Sequence, residues 1–182
     1  MSSKLKVGVL VVLMIASSAA FAASANTTAN VDRASSANVV TDDVGLIGIQ
    51  ANSSSGVVQQ NSTGAVTVDF TRGSASGVNT DSRFEIGDTN NGNESYAFNI
   101  TNQDAESHSL SLDYTGADTD ASANIEFHVY DGSGTSLGTA DEEGTSASAT
   151  LSSGQTVFVV VVVDTHGLDT NTNLSGTLTI SI

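Results

Sequence analysis

The sequence predicts an all-β fold, a single antiparallel β-sandwich of Ig-like or jelly-roll type. Three observations carry that expectation. Apolar side chains recur at every second position in short runs and rarely at helical spacing, the pattern of strands with one face on a core and one in water. The joints between runs are rich in Gly, Asn, Asp and Ser, the residues that tight turns demand. One segment, Val157–Val163, is apolar at every position, as a strand covered on both faces would be.

Taken in order, the first candidate strands are Val44–Gln50 and Val57–Gln60. Val66, Val68 and Phe70 then alternate with Thr67 and Asp69, and Tyr96, Phe98 and Ile100 with Ala97 and Asn99. Leu110, Leu112 and Tyr114 alternate with Ser111 and Asp113, and Ile125, Phe127 and Val129 with Glu126 and His128. Gln155 and Asp164 flank the all-apolar strand and limit its hazard as an aggregation-prone window. Leu178, Ile180 and Ile182 form the last run. About eight to ten short strands in two packed sheets are the simplest arrangement.

The N-terminus reads as an address. Lys4 and Lys6 precede an apolar stretch, Val7–Ala16, and Ala20 and Ala22 frame an A-x-A cleavage site, with Ala23 and Ala25 as a second option. That stretch is shorter than the roughly 20 residues a comfortable membrane span needs. A pilin-like leader, whose apolar helix would be retained, wants a processing site ahead of the apolar run, and none is clear. The expected organisation is a secretory signal peptide over 1–25, a Ser/Thr/Asn-rich leader over 26–43 and one sandwich domain over 44–182. A processed chain of about 157 residues is long enough to bury a core without disulfides.

Composition excludes more chemistry than it suggests. The 182 residues include 20 Asp and Glu against 5 Lys and Arg, with no Cys and no Pro. After signal cleavage only Arg33, Arg72 and Arg83 oppose the 20 carboxylates, a net charge of −17. Too few cations remain to neutralise a phosphate backbone, so nucleic acid is not an expected partner. Absence of cysteine removes disulfides, thiolate metal cages and a cysteine nucleophile. Self-repulsion at this charge is relieved when the Debye length falls to about 3 Å near 1 M salt, so the lysine-free, Asp-rich surface points to a salt-loving source. The bland alternative is an acidic secreted domain.

Candidate sites are few. Six N-x-[ST] sequons, at Asn26, Asn52, Asn61, Asn93, Asn99 and Asn173, are glycan acceptors if the chain is secreted; abundant Asn, Ser and Thr also produce sequons by chance. His108, His128 and His166 lack metal-ligand spacing, and neither an H-E-x-x-H pair nor a G-x-S-x-G elbow occurs. The acidic loop from Asp88 to Glu94 has its glycine misplaced for an EF-hand. Asp118, Asp120 and the stretch Asp164–Asp169 could touch calcium at a sandwich end, with salt-adapted turns the simpler reading. No metal, cofactor or catalytic residue is expected, and the chain is expected not to be an enzyme. A glycosidase would need a paired-carboxylate cleft with a sugar-stacking platform, and there is no Trp.

Arg33, Val39, Val40, Asp42, Asp43, Val44, Leu46, Ile47 and Ile49, in that order and spacing, resemble the N-terminal signature of haloarchaeal secreted proteins of unknown function. Val66–Phe70, Gly77–Asp81, Phe84–Ile86 and Ala97–Asn102 resemble that family's later blocks, so the resemblance covers about 33–115. The family is similar to TasA/camelysin-type proteins and archaeal bundling pilins. The resemblance implies a single sandwich that builds extracellular fibres, a strand of one subunit completing a sheet of the next. The camelysin protease activity is not implied, because no zinc motif matches.

An open sheet edge is physically suited to such addition, with backbone hydrogen bonds for affinity and alternating pockets for register. The donor candidates are Val39, Val40, Val44, Leu46, Ile47 and Ile49, within residues 38–50. Equally, Val44–Ile49 can be this domain's own first strand. The functional expectation is an extracellular structural subunit of a surface filament or biofilm matrix. The alternative is a monomeric glycosylated envelope domain that binds sugars or a surface layer.

Overall fold

The computed structural model describes residues 40–52, 56–72, 74, 76–117 and 122–182. The signal peptide, nearly all of the leader, Asn26, Val39, Asp118 and Asp120 lie outside the described residues. Those described form eleven strands: β1 Ile47–Ala51, β2 Val58–Gln60, β3 Val66–Val68, β4 Arg83–Ile86, β5 Phe98–Asn102, β6 His108–Gly116, β7 Ile125–Tyr130, β8 Ser136–Asp141, β9 Ser146–Leu151, β10 Thr156–Asp164 and β11 Gly176–Ser181. One sheet runs β1-β5-β10-β7-β8, with β4 also on β10; a second runs β11-β6-β9; β2 and β3 form a separate ribbon. Every pairing is antiparallel. The chain is an all-β antiparallel sandwich.

The alternation in the sequence maps onto burial. Leu110, Leu112 and Tyr114 of β6 are buried, as are Phe98 and Ile100 of β5 and Ile125, Phe127 and Val129 of β7. Together with Val157, Val159, Val161 and Val163 of β10 they make one core between the sheets. Their odd–even partners face outward, as the two-residue period of a strand requires.

Strand β10 is central because it is apolar on both faces. One edge pairs with β7; the other pairs with β5 along its first half and β4 along its second. Its outer-face residues Val160 and Val162 form a second buried cluster with Tyr130. The loop 87–96 is fastened over that face. Tyr130 donates its hydroxyl proton to Thr89 O at 2.9 Å, and the Tyr96 and Phe158 rings lie 4.9 Å apart. The acidic loop that looked like a failed calcium site is thus packing material for the valine strand.

Three strands were not anticipated: β4, β8 and β9. The expected Val66–Phe70 run is strand only to Val68, and the run at Tyr96 begins instead at Phe98. Strands β8 (SLGTAD) and β9 (SASATL) carry almost no large apolar residues. Their small side chains suit a corner where the chain passes between sheets, Gly138 lying against Ala147.

Tyr114 joins the layers. Its ring is 5.0 Å from Phe127, and its hydroxyl occupies the space where a Cβ on Gly176 would sit, 2.2 Å away. Burial, and then the nearby Glu142 carboxylate, raise its pKa from 10.0 to about 12. An acid whose folded pKa is raised contributes stability that is complete below its unfolded pKa and disappears as pH climbs to the folded value. Alkaline titration should therefore cost stability between pH 10.0 and about 12. Tyr114→Phe should flatten the slope only partly, since burial also raises Tyr130. Denaturant melts across that range check this; an unchanged slope in the variant contradicts it.

Candidate self-association edge

Two strand edges border one groove. β3 pairs only with β2, and β11 pairs only with β6. Consecutive residues Ala65–Thr71 line one side and Leu168–Leu178 the other, and with Ser76–Thr80 they border a space of about 1040 Å³. Phe98, Phe127 and Val161 lie at its base, and all three are buried in the core. This exceeds a typical small-molecule pocket, roughly 300–1,000 Å³. Leu178 and Ile180, on the inward phase of β11, are only half-buried, and Ile182 just beyond is 57% exposed.

The edge of β1 is different. Ile49 N–H donates to Asp42 O at 2.8 Å, and Gln60 Nε2 donates to Ile49 O at 2.8 Å. Its outward backbone groups at Ile49 are therefore satisfied within the chain. An edge with its own caps resists strand addition; one with no strand beside it invites it.

The donor candidates divide into two groups. Ile47 and Ile49 lie in β1, paired with Asn102 and Ile100 of β5 and packed against the core. Val40, Val44 and Leu46, just before that strand, are 50%, 58% and 71% exposed. They are three of the five large apolar side chains that the described residues leave exposed, so surface hydrophobicity is concentrated where the chain enters β1.

The other candidates stay apart. His108 Nε2 is 2.7 Å from Asp104 Oδ2, His128 Nε2 3.1 Å from Glu126 Oε2, and His166 Nδ1 2.6 Å from Asp164 Oδ1. Each histidine has a carboxylate neighbour, and among the described residues no three His, Asp or Glu converge where a metal ion could sit. Asp69 and Asp131 hold turns: hydroxyls of Thr71 and Ser133 donate to them, and these hydrogen bonds set both carboxyls below the ordinary range. Sequon residues Asn52 and Asn93 donate their amide protons to Tyr96 O and Gly132 O. Asn99 is half-buried within β5, and Asn61 and Asn173 are exposed in turns.

Sequence reasoning missed β11 as an edge. Its alternation marks a strand but carries no information on how many neighbours that strand acquires. No family model matches this chain, and no curated protein or solved structure shows significant similarity to it.

Proposed function

We propose that this chain is an extracellular structural subunit that self-associates by strand addition into a surface filament or matrix. The observation that carries the reading is the groove bordered by β3 and β11, each of which has only one strand partner. The donor is the N-terminal approach of a second copy. Val40, Val44 and Leu46 expose their side chains there, with Leu46 O held by Gln103 N, whereas Ile47 and Ile49 are engaged in their own sheet; Val39 lies outside the described residues. Use of an arm on one subunit and a groove on the next is heterologous and need not close, which yields filaments instead of rings. The strongly acidic surface suits assembly in concentrated salt, where repulsion between subunits is screened.

The alternative, a monomeric envelope domain, is favoured by one observation: β1 pairs with β5 of the same chain, so that end of the sheet needs no neighbour. Electron microscopy of the full chain in molar salt separates the two. Because Val40, Val44 and Leu46 are exposed, their combined replacement by Asp should leave the melting temperature of the monomer nearly unchanged and abolish fibres. A full chain that stays monomeric at high concentration sinks the filament reading. Identical fibres from the triple variant sink the arm assignment.

A further inference from the structure

The five described sequons share a sequence pattern but not a structural state. We propose that Asn61 and Asn173 are the N-glycan acceptors of the described domain, an assignment that rests on the reading that the chain leaves the cell. A sequon asparagine must present its side-chain nitrogen to a transferase, so Nδ2 has to be exposed and uncommitted.

Asn61 sits in the turn between β2 and β3. Its Oδ1 accepts from Thr63 N at 2.9 Å, Thr63 Oγ1 at 2.6 Å and Ala65 N at 3.0 Å. Asn173 sits just before β11, its Oδ1 accepting from Ser175 N at 3.1 Å. In both, the oxygen is held inward by the third residue of the sequon, an Asx turn of the kind Asn favours. Both residues are exposed, and among the described residues Nδ2 of neither donates a hydrogen bond.

The other three described sequons lack this arrangement. Asn52 Nδ2 is committed to Tyr96 O at 3.0 Å. Asn93 Nδ2 reaches Gly132 O at 3.2 Å, and its Oδ1 is packed against Gly134. Asn99 lies in the interior of β5 between Gln50 of β1 and Phe158 of β10. A strand paired on both sides cannot fold into the turn that brings residue 101 back to the Asn99 oxygen.

The step needs a polyisoprenyl-phosphate-linked oligosaccharide and its transferase. The sugar C1–O bond to phosphate breaks, the phosphate keeps the electron pair, Nδ2 forms the new bond to C1, and its proton passes to a base of the transferase. Asn173 itself lines the groove, beside Leu174, whereas Asn61 lies in the turn before Ala65 and is not part of that lining.

The test is glycopeptide mass spectrometry on the full chain from the organism that carries it. Since Arg72 and Arg83 are the only basic cleavage points beyond residue 40, digestion should be at acidic residues. The expected result, with fragmentation placing the mass because Asn52 and Asn61 share the peptide between Asp43 and Asp69, is sugar on Asn61 and Asn173 and none on Asn52, Asn93 or Asn99. Asn61→Gln and Thr63→Ala should each lose the first mass alone, and Asn173→Gln and Ser175→Ala the second alone. Sugar on Asn99, Asn52 or Asn93 overturns the assignment, and so does sugar on only one of the two chosen residues. Exported but unmodified protein overturns it while leaving the export reading intact. Protein retained in the cytoplasm overturns both.

Discussion

Replacing Asn102 by Ala should be among the most destabilising single changes in the domain, at about 3–5 kcal/mol. Asn102 is fully buried, and every polar atom it owns is used. Its Nδ2 donates to Glu106 O at 2.8 Å and Leu151 O at 2.9 Å, and its Oδ1 accepts from Asp104 N at 2.9 Å. Its backbone N–H and C=O bond to Gln155 O and Gly154 N. One side chain thus ties the end of β5 in the larger sheet to the end of β9 in the smaller. Ala would leave two carbonyls and one amide without that partner, each costing roughly 1–3 kcal/mol when buried. At a few degrees per kcal/mol, the midpoint should fall by about 10 °C. Asn102→Asp should be worse, because a carboxylate can accept from Asp104 N but only repel the Leu151 carbonyl. Thermal and denaturant melts decide it; a loss below about 1 kcal/mol for Ala would mean the tie is dispensable.

Gly87→Ala should cost about 3 kcal/mol, strain and overpacking each contributing roughly 1–3. Gly87 has φ +103°, and a Cβ there would lie 2.7 Å from Ser95 O, 2.9 Å from Tyr96 Cα and 3.0 Å from Val160 Cγ2. Two of those atoms are backbone, so relief means lifting the loop 87–96 off the outer face of β10. Tyr130, Val160 and Val162 would then meet water. The expected readouts are a lowered melting midpoint, loss of tyrosine near-ultraviolet dichroism and a tendency to aggregate through the exposed valine strand. Gly132→Ala is the control: its Cβ would meet nothing within 4 Å, so it should change little. Equal losses at both positions would refute the packing argument.

Much of the fold was legible because water imposes a local rule on strands. A half-buried strand must alternate, and the runs around Leu112, Phe127 and Ile180 do so. The seven consecutive apolar residues from Val157 could only be accommodated with both faces covered. Strands β8 and β9 were not legible. Ala140 and Ala147 are buried by the approach of other chain segments, and Ala, Gly and Ser look like loop residues until that approach is known. The Asp88–Glu94 loop carried a misleading signal, since its oxygen-bearing residues resemble a cation loop while Gly87 and Tyr96 fasten it to an apolar face.

The candidate site was less accessible still. The five described sequons become two candidates only once amide partners such as Tyr96 O and Gly132 O are located. The runs at Val44–Ile49 and Leu178–Ile182 both read as short apolar strands. β1 nevertheless has its outer groups capped by Asp42 and Gln60, while β11 is left beside a groove.

Side-chain period and turn chemistry are properties of a few adjacent residues, so the sequence by itself determined that the chain forms antiparallel sheets and where most strands lie. Which strand sits beside which depends on contacts between residues far apart in the chain, such as Ile86 with Val161 or Leu178 with Tyr114. A strand pattern is the same whether one edge or both are paired. The edge positions of β3 and β11 were therefore decided by tertiary structure alone.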